Sequence, residues 1–261
     1  MINMFDLHSD PDYKIALTSF LSRQTTDCDH SNTNGWNIFK DVHLKIAKNK
    51  CPICECPFDN SVTRNSNNGI TTLIPTMDHY RPKSSNFYPL LKCDHKNYLI
   101  MCSDCNNVFK NNQFPLHSST PNREITLADT SLFSEKPLIV NPIYDDVLDL
   151  FILNFKQSIT GRKILELSPK YEQNDNDYLY KKAIETIKLF KLSDCVNLNL
   201  DNTETCRINL LSMHFNTFYN FIIELENKNI KKAMEIFKNN KLNEFGFTVF
   251  IQKKQYRNLI P

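Results

Sequence analysis

Glycine is scarce in this chain, with only Gly35, Gly69, Gly161 and Gly246 among 261 residues. So few residues tolerant of positive φ disfavour an all-β fold with many tight turns. Long apolar runs are missing too. None approaches the roughly 20 residues that a membrane helix needs, and Met1-Ile2-Asn3-Met4-Phe5-Asp6 has neither the basic start nor the apolar stretch of an export signal. The expectation is a cytoplasmic protein with no membrane partner. Nor is there a large excess of charge: the formal net value is +2, so global basicity does not announce a nucleic-acid binder. From Arg81 to Lys110, however, five basic residues (Arg81, Lys83, Lys92, Lys96 and Lys110) stand against Asp94 and Asp104. A solvated surface accounts for that local excess about as well as a phosphate-binding one. No internal repeat is found, and the abundance of asparagine reads as a base-composition bias.

A hydrophobic share of 41% over this length suffices for one large domain or two small ones with a real core. The nine cysteines form an odd set. Two pairs have metal-ligand spacing, Cys51-Pro-Ile-Cys54 and Cys102-Ser-Asp-Cys105, which favours metal-binding thiolates over disulfides. Two such knuckles match a four-sulfur tetrahedral zinc site, and four thiolates leave no open position for substrate. The expected zinc is structural. Forty-seven residues separate Cys54 from Cys102, far more than in a simple zinc ribbon, so one ion would tie together both ends of the intervening segment. Cys56, Cys93 and His95 compete for these positions at irregular spacing. Cys28, His30 and His43 lack partners and read as structural.

The intervening segment carries reactive groups. Asp78 and His79 can supply a carboxylate for a hard divalent ion, Mg²⁺ or Mn²⁺, and an imidazole that accepts a proton near neutral pH. Asn106 offers a neutral oxygen as a second ligand. Asn97 is placed to fix the loop carrying His79, and Lys83 and Lys110 are placed to meet a phosphate, Lys110 one helical turn beyond Asn106. Together these groups are what phosphodiester hydrolysis requires.

The pattern around them predicts helices over residues 10–23, with Ile15, Leu17, Phe20 and Leu21 at helical spacing, and from Trp36 to about Lys48. A strand over 70–74 should lead into Asp78 and His79. A second strand over 98–101 and a short helix from Asn106 to about Asn111 then complete a strand, strand, helix order. A short strand is expected at 138–142 and a hairpin from Leu150–Phe155 and Lys163–Leu167. Helices follow over 178–192, 203–226 and 230–237, whose Phe-rich stripes read as core. Four regions result: N-terminal helices over 1–50, the site-bearing core over 51–117, an irregular or β extension over 118–170, and a mostly helical region over 171–261. The fold class is α+β.

Cys-x-x-Cys, Asp-His-x-x-Pro-Lys, Asn and Cys-x-x-Cys-Asn-x-x-x-Lys, in that order, resemble the HNH, or ββα-metal, nuclease motif, with Asn106 in the place of the last histidine. A more specific resemblance runs over about residues 35 to 170. It includes Asp78-His79-Tyr80-Arg81-Pro82-Lys83-Ser84, Asn97-Tyr98-Leu99, Asn112-Gln113-Phe114-Pro115-Leu116 and Pro137 to Pro142 with Asp145-Asp146. There the chain resembles the PtuB-type HNH nucleases of Septu antiphage systems, which also occur as retron effectors. That resemblance implies a bacterial defence nuclease acting with a PtuA-type ATPase and, within a retron, with a reverse transcriptase and its noncoding RNA. Two other readings stand beside the endonuclease: a ribonuclease cutting a structured RNA such as tRNA with the same residues, and a catalytically silent zinc module that binds nucleic acid or a partner protein. The motif does not separate DNA from RNA as substrate.

Overall fold

The structure is a computed structural model that describes residues 1–22, 35–55, 58, 63–66, 69–72, 74–120, 122–157, 163–192 and 220–239. Among these residues, helices and three two-stranded antiparallel sheets make an α+β fold. The chain divides into two compact units, Asn3–Asp145 and Met1–Ile2 with Asp146–Pro261, so the break falls inside the stretch expected as a 118–170 extension.

In the Asn3–Asp145 unit, helix α1 spans Pro11–Ser22. Asp10 precedes it and accepts the Asp12 N–H at 2.9 Å, while Pro11 takes a position that needs no hydrogen bond. Its buried stripe is Tyr13, Ala16 and Phe20. The expected inward residues Ile15 and Leu21 instead stand 69% and 49% exposed. The aromatic rings decide the face: Tyr13 and Phe20 pack on Phe39 at centroid separations of 5.1 and 5.3 Å. Phe39 ends a 3-10 turn, Gly35–Phe39, that precedes α2, Lys40–Ile46, where a single helix was expected from Trp36.

Strands β1, Thr63–Ser66, and β2, Gly69–Thr72, form a hairpin that ends before the site. The expected strand over 70–74 therefore does not run on into Asp78. A separate strand, β3, opens at Pro75 and runs to His79, because proline has no N–H for a continuing ladder and is tolerated at a strand's first residue. β3 pairs antiparallel with β4, Tyr98–Cys102, placing Pro75 opposite Cys102, Asp78 opposite Leu99 and His79 opposite Tyr98. Every residue of β4 is buried. A π-helix, Asp104–Lys110, follows at once, where a short helix from Asn106 was expected. Its wide winding shows in the Asn111 N–H, which donates to the Asn106 carbonyl five residues back at 2.7 Å.

Among the described residues of 114–142 there is no strand at 138–142, only an isolated bridge between Leu116 and Pro137. Pro137 and Pro142 bracket the segment and withhold two donors. A buried polar knot fastens it instead. The Glu135 carboxylate accepts from Arg81 Nε at 3.3 Å, from the Tyr88 hydroxyl at 2.7 Å and from the Glu124 N–H at 2.6 Å. The Arg81 guanidinium lies 4.4 Å from the ring centre of Phe133. The Tyr80 hydroxyl adds a bond to the Ile139 carbonyl at 2.7 Å.

In the other unit, Asp146 caps α3, Val147–Leu150, which leads into the antiparallel hairpin β5, Phe151–Gln157, and β6, Lys163–Pro169, as expected. Helix α4, Asp177–Phe190, is capped by Asn176, whose side chain accepts the Leu179 N–H at 3.1 Å. It buries Ala183, Ile187 and Phe190. α5 over 220–226 and α6, Ile230–Asn239, contribute buried Phe221, Ile222, Leu225 and Ala233. Residues 203–219 of the expected 203–226 helix lie outside the described residues. Among the described residues no helix is long and apolar enough to cross a membrane.

Candidate metal centre and active site

Cys51, Cys54, Cys102 and Cys105 are buried, and their sulfurs all lie within 4.8 Å of one another. The Cys54 and Cys102 sulfurs are 3.6 Å apart, close to the roughly 3.8 Å edge of a tetrahedron with zinc–sulfur bonds of about 2.3 Å. Two local devices build the cluster. Glu55 takes a left-handed φ of 61° and donates its N–H to the Cys51 carbonyl at 2.8 Å, closing the first knuckle. In the second, the Cys105 N–H points at the Cys102 sulfur at 3.4 Å. Burial, and after it the Cys102 sulfur, pushes the Cys51 thiol well up, so a thiolate here needs a cation beside it. Four buried cysteines this close can hold a zinc ion. The competing ligands are elsewhere: Cys93 is disulfide-bonded, and His95 Nδ1 meets the Tyr13 hydroxyl at 2.7 Å. His43 is enclosed and structural, as expected. Cys28, His30 and Cys56 lie outside the described residues.

Asp78 and His79 are consecutive on β3, so their side chains leave opposite faces of the strand. Asp78 shares a face with Thr76, and both meet the π-helix: Asp78 Oδ2 lies 2.9 Å from Lys110 Nζ, and Thr76 accepts from Asn106. Burial pushes the Asp78 carboxyl above its ordinary value, while the charges of Lys110 and, more weakly, Lys83 oppose that rise. His79 leaves the other face. Its ring is held edge-to-face between Trp36 and Tyr98, at centroid separations of 5.3 and 5.2 Å. Its Nε2 lies 2.9 Å from the Lys92 carbonyl oxygen. A carbonyl only accepts, so Nε2 carries the proton and Nδ1 is the basic nitrogen.

Asn97 is buried and grips Arg81 by both backbone groups, accepting from its N–H at 2.8 Å and donating to its carbonyl at 2.9 Å. The loop leaving His79 is therefore clamped. Asn106 donates its side-chain N–H to the Thr76 hydroxyl at 3.0 Å, which leaves the amide oxygen as the end able to bind a cation. Lys110 does not stand where an expected phosphate ligand would. It is fully buried, and besides its contact with Asp78 it donates to the His79 carbonyl at 2.9 Å. The buried carboxylate demands a counter-charge inside the fold, and Lys110 supplies it instead of reaching a phosphate. Lys83 is half-buried, with its ammonium 4.1 Å from the centre of the Trp36 ring.

Asp78, His79, Lys83 and Asn106 line one open cavity of about 260 Å³, with Pro82, Asn107, Asn111 and Asn112 completing the wall. Asp78 and His79, the last two residues of β3, both line it. Three contributors were not found from the sequence: Thr76, which orients Asn106; Trp36, which touches both His79 and Lys83; and the Lys92 carbonyl, which fixes the imidazole. Only Trp36 carried a signal, as an aromatic residue just ahead of the motif. Comparison with family models, with curated proteins and with solved structures finds no match.

Proposed function

We propose that the chain is a metal-dependent HNH endonuclease that hydrolyses nucleic-acid phosphodiester bonds. The observation that carries this reading is the convergence of Asp78, His79, Lys83 and Asn106 on one cavity. The antiparallel β3–β4 pair and the helix after it support a ββα-metal core, with the cysteine cluster joining its ends. Asp78 and Asn106 would hold Mg²⁺ or Mn²⁺, and so small a protein ligand set suits an ion that keeps waters and binds substrate oxygens. When bound, such an ion supplies positive charge against the charge that develops on the phosphate. His79 Nδ1 takes a proton from the attacking water, its ring fixed by the Lys92 carbonyl and by two aromatic neighbours. Lys83 offers its ammonium to the phosphate. Asn97 acts as a positioning residue through Arg81.

The resemblance to PtuB-type nucleases extends the proposal to an effector of bacterial antiphage defence that acts in the cytoplasm with a PtuA-type ATPase. In a retron it would also act with a reverse transcriptase and its noncoding RNA. The test is incubation of the purified chain, alone and with the ATPase, with plasmid DNA and total tRNA in parallel under Mg²⁺, Mn²⁺ or EDTA. Cutting that needs the ion and disappears in His79→Ala is expected, and the substrate cut tells DNase from ribonuclease. Full activity of His79→Ala on every substrate that the native protein cuts would overturn the mechanism, whereas no cutting by the native protein under any ion would favour the silent zinc module.

A further inference from the structure

We propose that Trp36, outside the Cys51 to Lys110 stretch, is a positioning residue that presents the Lys83 ammonium to a substrate phosphate and fixes the imidazole of His79. The inference rests on the nucleolytic reading of the cavity. Two contacts of one indole carry it. Lys83 Nζ lies 4.1 Å from the centre of the Trp36 ring. The His79 ring meets the same indole at 5.3 Å with an interplanar angle of 77°. A cation and a base that act on the same phosphodiester are thus indexed to a single rigid plane.

The plane itself is anchored. Trp36 belongs to the 3-10 turn ending at Phe39, which is fully buried and packs on Tyr98 at 5.7 Å. Tyr98 in turn meets His79 at 5.2 Å, so the turn and the base share one aromatic support. The backbone before Lys83 is pinned as well, by the Asn97 grip on Arg81 and by the Tyr88 N–H, which donates to the Pro82 carbonyl at 3.0 Å. The flexible part of Lys83 is its four-carbon stem, and the π face restrains the end of it. An ammonium on an indole keeps its full charge, and an anionic phosphate oxygen, the stronger partner, can draw it off.

Trp36 is the single tryptophan of the chain, so its emission reports this contact directly. Full-length protein in EDTA, where nothing is cut, is titrated with a short oligonucleotide whose binding is followed independently by anisotropy. The expected result is a change in tryptophan emission and iodide quenching that saturates with binding. Lys83→Met, which keeps most of the stem without the charge, should start from altered emission and show no further change. In cleavage assays Trp36→Ala should raise KM about tenfold and lower kcat, while Trp36→Phe, which keeps a π face, recovers most of both. A merely structural role would reduce the active fraction and leave KM where it was. Unchanged emission at saturation, identical emission of Lys83→Met, or no oligonucleotide binding at all would overturn the proposal. Silent fluorescence with intact cleavage removes this inference alone, whereas responsive fluorescence without cleavage under any metal removes the nuclease reading and leaves Trp36 as a phosphate-site support.

Discussion

Asn106 donates its side-chain amide to the Thr76 hydroxyl at 3.0 Å, and that hydroxyl donates onward to the Met101 carbonyl at 3.1 Å. The proposed second metal ligand is therefore oriented from the strand that carries the first. Thr76→Val keeps the shape and β-branching of the residue but removes the acceptor, which releases the Asn106 amide to rotate. Cleavage should fall about tenfold and recover as Mn²⁺ is raised, with a stability loss of about 1 kcal/mol for the lost hydrogen bonds. An unchanged Mn²⁺ dependence would show that Asn106 does not bind the ion.

The zinc prediction concerns Cys102, which is fully buried and sits at the end of β4, opposite Pro75. Cys102→Ser should empty the site and unfold the segment, because metal binding and folding are one equilibrium in such clusters. Elemental analysis checks it, and full zinc content in the variant would remove the assignment.

Asp78 and His79 should separate in both metal dependence and stability. His79→Ala removes the proton acceptor, with an expected loss of about 10² to 10⁴ in rate that added metal does not restore. Asp78→Ala weakens ion binding and also strands the buried Lys110 ammonium, so a loss of about 3 to 5 kcal/mol is expected. Asp78→Ala with Lys110→Met should regain much of that stability without regaining activity. Chemical denaturation of the single and double variants provides the comparison, and equal stabilities would dissolve the pairing.

Acid should destabilise the fold through His43. Both of its ring nitrogens are buried without a hydrogen-bond partner, and burial lowers its pKa from 6.5 to about 3. Burial, followed by His95, lowers His8 from 6.5 to about 4. An unfolded imidazole titrates near 6.5, so stability is flat above that pH. Below it the unfolded chain takes up protons that the folded chain refuses, and stability falls. At pH 5 the cost is about 2 kcal/mol per imidazole. His43→Leu should flatten the difference in urea midpoints between about pH 7.5 and pH 5 relative to the native chain; an identical pH dependence would contradict the account.

The clustering of Cys51, Cys54, Cys102 and Cys105, and the grouping of Asp78, His79 and Asn106 around one cavity, were legible in the sequence because such arrangements are tied to residue type and spacing. Lys110 was legible as a residue of interest but not in its role. Four-residue spacing gives a helix face without saying whether that face is wet, and here it covers a buried carboxylate. Thr76 and the Lys92 carbonyl were invisible, one being an ordinary strand residue and the other a backbone atom. In α1 the apolar count favoured Ile15, Leu17, Phe20 and Leu21, yet of these only Phe20 is buried, and Tyr13 and Ala16 complete the inward face. At 138–142, β-branched residues suggested a strand, but two prolines and the knot around Glu135 hold the segment in place of a partner strand.

That knot has a consequence for how the site can be moved between proteins. Arg81 lies two residues beyond His79, and its buried counter-charge comes from Glu135, well past Cys105. A fragment ending at residue 117 would keep every proposed reactive side chain and both knuckles, yet leave a guanidinium enclosed by Tyr88, Phe114 and its neighbours without its carboxylate. The motif is thus not a detachable cassette. The smallest portable piece reaches to the Asp145 edge of its compact unit, and grafts or chimaeras cut shorter should arrive misfolded at the loop that follows the base.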